Sequence, residues 1–262
     1  MEEKKPLVDV IIPVYKPGKR FGHLLKMLAV QTWPVHQVII INTEKKYWNQ
    51  DEIDRMMPEN LSVMVRHISK EEFDHGATRH MAMELSESDI AVCMTHDAVP
   101  AGKHLIENLI RAFGQTGPAG EEVIQVYARQ LPNKDCGFIE RYTRSFNYPA
   151  SSRVKTKKDL ESLGIKTYFA SDVCCAYRRD LYFSQGGFIR RTIFNEDMIF
   201  AGKAIQSGYA VVYAADAKVI HSHNYTCIEQ FKRNFDLAVS QADHPEVFGR
   251  LPSEGEGMRL VR

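Results

Sequence analysis

The feature that most constrains this chain is a repeated exchange of apolar strands and amphipathic helices near its start. Residues 8–15 form a short, β-branched apolar run, which is typical of a strand buried in a parallel sheet. Apolar residues then recur at helical spacing from Phe21 to Ala29, and a second apolar run follows at residues 38–41. This β-α-β pattern predicts a parallel sheet covered by helices, with its ligand-binding edge at the carboxyl ends of the strands.

The alternation continues to about residue 100 and then loosens. The further predicted elements are strands at residues 61–67, 90–94, 123–128 and 210–213, and helices at residues 78–84, 103–113 and 198–205. For the polar stretch from residue 130 to residue 158 we predict no helix or strand. We see no repeat and no low-complexity linker, so we expect one domain over residues 1–262, built from a half at about 1–100 and a half at about 101–262.

Charge and cysteine content limit the class of protein. The net charge is +1 with 34 basic and 33 acidic residues, so no global field favours a nucleic acid, and the basic run at residues 155–159 is interpreted as a solvated loop or helix start. Five cysteines without a C-x-x-C spacing argue against a disulfide framework. The charged N-terminus and the lack of about 18 consecutive apolar residues argue against secretion and membrane spanning, so we expect a cytoplasmic protein.

Two acidic motifs could carry chemistry. Asp97 follows the strand at residues 90–94 together with His96, and at a sheet edge its carboxylate could hold Mg²⁺ or Mn²⁺ against a diphosphate. Glu196 and Asp197 begin the helix at 198–205, where the helix dipole favours an ionised carboxylate that could act as a base. The alternative for each motif is helix capping.

Basic and imidazole side chains supply further candidates. His221 and His223 lie on one side of an extended segment after the strand at 210–213, which suits a metal or a phosphate, although a structural histidine is the alternative. Arg79 stands near a predicted helix N-terminus and suits phosphate oxygens, with a surface salt bridge as the alternative. Gly187 follows another glycine, which indicates a backbone that something approaches closely. The sequence contains neither a P-loop nor a dinucleotide fingerprint.

Taken in order, the motifs of this chain resemble glycosyltransferase family 2, the nucleotide-sugar enzymes of the GT-A fold, and within it the bacterial rhamnosyltransferase-like branch. The resemblance covers nearly the whole chain and rests on VDVIIPVYKPG, FDHGATR, THDAVP, VYARQLP, RSFNYPASS, GIKTYFASDVCCAYRR, GGF before NED, and VIHSHNYT before QFKRNFD. It implies a mostly parallel central sheet flanked by helices, with a Rossmann-like nucleotide-sugar-binding half and an acceptor-binding, catalytic half.

The resemblance also assigns roles to residues. Asp97 matches the last acid of the family's metal-binding D-x-D, Thr95 stands in place of the first, and His221 lies where related enzymes supply a metal ligand; His223 stays open as an alternative. Asp197 matches the general base, beside Glu196. The implied donor-binding residues are Pro13, Val14, Tyr15, Asn42, Glu44, Asp74, His75, Arg79, His96 and Asp97. The implied acceptor-binding residues are Arg129, Gln130, Gly187 and Phe188.

The implied function is inverting transfer of a sugar with a divalent cation, Mg²⁺ or Mn²⁺. The best match is transfer of L-rhamnose from dTDP-L-rhamnose to a saccharide or polyprenyl-linked acceptor in cell-surface polysaccharide synthesis. The resemblance implies no nucleic-acid partner. It leaves peripheral contact with the inner face of the plasma membrane open. Gln230-Phe231-Lys232-Arg233-Asn234 departs from the Q-x-x-R-W of processive synthases, which favours one sugar per acceptor. Family members are usually longer than this chain, which suggests a C-terminal truncation after Arg262. The alternative function is a catalytically silent nucleotide-sugar- or carbohydrate-binding subunit on the same fold.

Overall fold

The computed structural model of the protein describes residues 5–249 and 251. The first residues of the charged N-terminus and the C-terminal stretch, on which the expectations about leader and truncation fall, lie outside the described residues. The strands are β1 (Val8–Tyr15), β2 (Gln37–Thr43), β3 (Val63–Ile68), β4 (Ile90–Met94), β5 (Val99–Pro100), β6 (Val123–Leu131), β7 (Arg153–Lys155), β8 (Cys174–Arg178) and β9 (Ala210–Ile220). The helices are α1 (Lys19–Ala29), α2 (Gln50–Met56), α3 (His75–Leu85), α4 (Leu105–Ala112), α5 (Phe138–Asn147), α6 (Leu160–Leu163), α7 (Arg179–Ser184), α8 (Glu196–Gln206), α9 (Cys227–Ala242) and α10 (Pro245–Phe248).

All the strands join one sheet in the order β3-β2-β1-β4-β8-β6-β9-β5, and β7 pairs with β9 outside this path. The ladders β1–β2, β2–β3, β1–β4 and β6–β9 are parallel. Strand β8 is antiparallel to both of its neighbours, β4 and β6, and β5 and β7 are antiparallel to β9. Six of the strands therefore run in one direction, and the predicted mostly parallel sheet is confirmed.

Apolar layers cover both faces of the sheet. Val10 and Ile12 of β1 face one layer, with Leu24 of α1, while Ile11 between them faces the other, with Phe200 of α8. Because successive strand residues point to opposite faces, a strand that is apolar throughout is buried on both sides. The sheet also runs without a break across β4 and β8, which joins the two predicted halves.

The second half departs from the sequence prediction in three places. Strand β9 was expected to end at residue 213 before a turn, but it continues to Ile220, because a bulge shifts its pairing with β6 between Ala214 and Lys218. The polar stretch from residue 130 to 158 contains α5 and β7. Lys155 of the basic run is buried in β7, while residues 157–159 begin a helical turn as expected.

No helix within residues 5–249 combines the length and the apolar character that crossing a bilayer requires. This finding agrees with the absence of a long apolar run in the sequence.

Candidate active site

One carboxylate and two imidazoles converge where the parallel strands end. Strand β5 pairs Val99 with Ile220 at the end of β9, and this pairing brings the turn after β4 beside the segment after β9. Asp97 Oδ2 therefore lies 3.6 Å from His221 Nε2 and 3.2 Å from His223 Nε2. The two Nε2 atoms are 3.0 Å apart. Asp97 does not cap α4, whose N-cap is His104, so the capping alternative for Asp97 fails.

The electrostatics of this cluster suit a cation. Burial raises the pKa of Asp97, but the hydrogen bond and the charge of His221 outweigh burial and hold that pKa well below its usual range. Burial lowers the pKa of both imidazoles, whose neutral form is the one that coordinates metals. One ligand atom from each of the three side chains lies within 4.8 Å of the others. The three residues could therefore hold a divalent cation, and His221 and His223 both remain candidates for its imidazole ligand.

Gln130 fixes the orientation of His221. Its amide Oε1 accepts a hydrogen bond from His221 Nδ1 at 3.0 Å and another from Arg144, while its Nε2 donates to Ser171 Oγ. Because an amide oxygen can only accept, Nδ1 of His221 carries a proton; Nε2 then donates to Asp97 when the ring is protonated and offers a lone pair to a cation when the ring is neutral. Gln130 was predicted to bind the acceptor, but its side chain is only 2% exposed and cannot reach one.

Arg20 joins the two sides of this cluster, and no sequence pattern indicated this role. Its guanidinium donates to the carbonyl oxygens of Asp97 and Ile220 and to Asn133 Oδ1. These three partners belong to segments that are far apart in the chain. Arg20 therefore holds the turn after β4 against the end of β9.

A second acidic cluster lies at the start of α8. Asp197 accepts hydrogen bonds from the backbone N–H groups of Asp172 at 2.9 Å and Met198 at 2.7 Å. Burial, followed by the neighbouring charge of Glu196, raises the pKa of Asp197 to about 7. Burial therefore outweighs the helix dipole, which was expected to favour the ionised form of this carboxyl group. A group with this pKa can accept a proton near neutral pH.

Arg79 is buried in this acidic cluster rather than exposed to a ligand. Its Nη1 lies 3.0 Å from Glu196 Oε1 and its Nε 3.2 Å from Asp172 Oδ2. Asp172 also accepts a hydrogen bond of 2.6 Å from the hydroxyl of Tyr177. The ion pairs of Arg79 are thus buried, which contradicts the alternative of a surface salt bridge. Asp172, which lies in the motif GIKTYFASDVCCAYRR but received no role from the sequence, is the second anion that neutralises it.

The donor-binding candidates divide between the sheet edge and the interior. Tyr15 is exposed at the end of β1 and packs edge-to-face on Tyr47, with Lys16 over both rings. Pro13 and His96 are partly exposed, whereas Val14 is buried. A ligand at this edge could therefore contact Tyr15, Pro13 and His96.

The remaining donor candidates bind other parts of the protein. Asn42 is buried, with its Nδ2 3.0 Å from His67 Nδ1, and Glu44 accepts from the backbone of Lys70. Asp74 caps α3 by accepting from the N–H of Ala77, and His75 stacks on Phe194. These contacts fix the walls of the site and leave Asn42 without access to a ligand in this conformation.

The other acceptor-binding candidates differ in burial: Phe188 is buried, whereas Arg129 and Gly187 are partly exposed. Phe188 is 2% exposed among Tyr177, Tyr182 and Phe200, so it belongs to the core. The close approach predicted at Gly187 comes from the protein itself. Its φ is +67°, and a Cβ there would lie 2.6 Å from the ring of His80. Arg129 donates to the carbonyl of Tyr148.

The comparisons agree with this geometry. The family model described as "Glycosyl transferase family 2" matches residues 9–183. The O-antigen chain rhamnosyltransferases RfbN of Salmonella typhimurium and WbaN of Salmonella anatum are each 37% identical to this chain, over 97% and 98% of it and 79% of their own lengths.

Solved structures show the same fold. A mannosyltransferase from Pyrobaculum calidifontis, in complex with GDP-Man and Mn²⁺, superposes with a TM-score of 0.68 at 16% identity over 92% of this chain. S. aureus TarS 1-349 in complex with UDP-GlcNAc gives 0.59, also at 16% identity over 92% of this chain. The chain spans 65% of the mannosyltransferase and 67% of this TarS structure. The predicted GT-A fold is confirmed by these neighbours.

Proposed function

This chain belongs to glycosyl transferase family 2 and is a glycosyltransferase, and from that premise we propose that it transfers L-rhamnose from dTDP-L-rhamnose, with inversion, to a saccharide. The observation that carries the transfer chemistry is the convergence of Asp97, His221 and His223 at the strand ends. The sugar and its use in O-antigen synthesis rest on the 37% identity to the two rhamnosyltransferases. A lipid-linked acceptor would bring the enzyme to the inner face of the plasma membrane.

The cation site fits the expected cofactor. An ionised carboxylate and two neutral imidazoles form a mixed oxygen and nitrogen donor set, which suits Mn²⁺ and similar first-row cations better than Mg²⁺. A divalent cation held there would neutralise the charge of the leaving diphosphate. Gln130 and Arg20 keep the three ligands in place before the cation arrives.

Asp197 would take the proton of the acceptor hydroxyl. The two backbone N–H groups fix the carboxyl group, and its pKa of about 7 leaves a useful fraction ionised at neutral pH while keeping it basic enough to accept a proton. Attack from the side opposite the diphosphate would invert the anomeric carbon. Glu196 is held by Arg79 and would contribute through the pKa of Asp197 rather than by touching the sugar.

The experiment is a donor screen with purified protein. Turnover and thermal stabilisation are measured for dTDP-L-rhamnose, UDP-hexoses and GDP-hexoses, each with Mn²⁺ and with a chelator. We expect stabilisation and turnover with dTDP-L-rhamnose in the presence of Mn²⁺, and loss of both in Asp97→Ala. Turnover of UDP-hexoses alone would overturn the rhamnosyl assignment, and donor binding without any turnover would favour the silent binding subunit.

A further inference from the structure

The residue that precedes the second acidic cluster has an unusual backbone. Asn195 has a φ of +68° and a ψ of 18°, which is the left-handed region. Within the part of the chain that the structure describes, Lys16 and Glu44 are the other residues besides glycine with a positive φ. Asparagine adopts this conformation more readily than most residues, but the surrounding contacts must still offset its cost. Such residues are common at functional sites, and Glu196 and Asp197 follow Asn195 directly.

The side chain of Asn195 does not cap the helix that it precedes. A residue in this position usually has an extended backbone, and its side chain accepts a hydrogen bond from the first turn of the helix. Asn195 makes no such bond to α8, and its Nδ2 instead donates to the carbonyl oxygen of Leu237 in α9, at 3.3 Å. Asn195 is only 6% exposed, so this bond is shielded from water. The start of α8 is therefore attached to a neighbouring helix.

Helix α9 also holds the residue before Asn195. The carbonyl oxygen of Phe194 accepts hydrogen bonds from the hydroxyl groups of Ser240 in α9 and of Thr192. The ring of Phe194 stacks on His75, and the guanidinium of Arg233 in α9 lies over the same ring, 5.1 Å from its centre. Two consecutive residues that lead into the acidic cluster are thus fixed by one helix.

The same helix begins beside the cation cluster. Tyr225, two residues before α9, stacks on the ring of His223 with 5.1 Å between the ring centres. The guanidinium of Arg233 lies over the ring of Tyr225 as well as over that of Phe194. Helix α9 therefore contacts the segment of a candidate cation ligand and the segment that leads to the candidate base. A helix is a more rigid support for such a pair of sites than a loop.

The position of Asp197 depends on where α8 begins. Its two hydrogen bonds come from Met198, in the same helix, and from Asp172, in the segment before β8. Arg79 of α3 binds both Glu196 and Asp172, and so holds the start of α8 from one side. Asn195 holds it from the side of α9. A base must lie within hydrogen-bond reach of the hydroxyl group, and a displacement of about 1 Å can cost 10²-fold in rate.

We propose that Asn195 is a positioning residue for the base, because its left-handed backbone and its bond to α9 set the place of Asp197 relative to the cation cluster. This inference rests on the proposed function and adds a buried residue that acts through Asp197. Ser240 acts in the same way through Phe194, with a smaller effect, since Thr192 donates to the same carbonyl oxygen.

The main test is Asn195→Gly. Glycine adopts the left-handed backbone without strain, which offsets the lost hydrogen bond, so we expect a melting temperature close to that of the wild type. We expect kcat for sugar transfer to fall by about tenfold or more, while the dissociation constant of dTDP in the presence of Mn²⁺ stays unchanged. Ser240→Ala should change kcat in the same direction by a smaller factor.

Asn60→Gly is the matched control. The Nδ2 of Asn60 also donates to a helix carbonyl oxygen, that of Ala29 in α1, at 3.0 Å. This bond lies near the amino ends of the parallel strands, at the edge of the sheet opposite the candidate site. Asn60→Gly should therefore turn over the donor like the wild type.

Amide hydrogen exchange supplies a readout that needs no substrate. The N–H groups of Met198 and Asp172, which bind Asp197, should exchange faster in Asn195→Gly than in the wild type. Unchanged exchange at both amides would overturn the proposal, and so would a loss of kcat matched by an equal loss of dTDP affinity. If the wild-type protein turns over no donor, the proposed function fails, and the exchange rates still decide whether Asn195 holds Asp197.

Discussion

Asp197 is the residue at which protonation and turnover should be coupled. Because burial and Glu196 raise its pKa to about 7, its ionised fraction grows as the pH rises from 6 to 8, and we expect kcat to rise over that interval. Asp197→Asn should lower kcat by about 10²-fold or more while leaving the dissociation constant of the donor nucleotide nearly unchanged. Pre-steady-state turnover and calorimetry measure the two quantities.

Glu196→Gln is the matched comparison for Asp197→Asn. Glu196 is buried against Arg79, so its loss removes half of the neutralisation of a buried guanidinium and should lower the melting temperature. Near-normal turnover in Asp197→Asn, or a loss of turnover confined to Glu196→Gln at unchanged stability, would show that the base is assigned to the wrong carboxyl.

Gln130 should affect cation binding through its hydrogen bond to His221. Gln130→Leu removes the acceptor that fixes the His221 tautomer, and we expect Mn²⁺ affinity, measured by calorimetry on the protein alone, to fall by about 10- to 100-fold. Gln125→Leu is a control of the same chemistry, since Gln125 is also buried but hydrogen-bonds Tyr177 and Cys175. If both variants bind Mn²⁺ like the wild type, Gln130 has no part in the site.

The sequence assigned roles to residues such as Asp97 and Asp197 and missed the roles of Arg20 and Asp172, which act through contacts with distant segments. Asp97, Asp197 and His221 follow or begin regular elements at the sheet edge, where position alone suggests chemistry. Arg20 reaches Asp97 across 77 residues and Asp172 meets Asp197 across 25, and a single hydrogen bond between distant segments leaves no local pattern.

At the scale of secondary-structure elements, the sequence predicted best those elements whose apolar residues are buried. Strand β4 matches its predicted bounds because all five of its residues are buried and apolar. Helix α5 was missed although Phe138, Tyr142 and Phe146 recur at helical spacing; the helix lies in a mostly polar stretch and has no buried residue. Strand β7 has only three residues and ends in a buried lysine. Because lysine side chains are usually exposed, its sequence does not indicate a buried strand.

The buried Lys155 of β7 leads to a prediction about how stability depends on pH. Burial lowers the pKa of Lys155 to about 7, whereas in the unfolded chain it is near its ordinary value, so the unfolded state binds more protons between those two values. The free energy of unfolding should therefore rise with pH from 7 to 9. Lys155→Met should remove up to about 2–3 kcal/mol of this rise, as measured by urea denaturation at several pH values. Lys158→Met, on an exposed side chain of the same run, should preserve it.

A pH dependence of stability that is the same in Lys155→Met and in the wild type would show that this ammonium group keeps its ordinary pKa. Its contacts with two carbonyl groups and the ring of Tyr127 would then suffice to hold the charge.

At the scale of the molecule, the continuous sheet and the Arg20 contacts lead us to propose that the two halves unfold together. Both tryptophans, Trp33 and Trp48, lie in the first half, while the buried cysteines of β8, Cys174 and Cys175, report on the centre of the sheet. We expect the midpoint of tryptophan fluorescence and the onset of β8 thiol labelling to coincide on heating. Arg20→Leu should lower both together, by an amount that corresponds to about 1–3 kcal/mol, because it leaves the carbonyls of Asp97 and Ile220 without their donor. Labelling of the β8 cysteines before the fluorescence change would instead show that the second half opens first, and that the first half is stable without it.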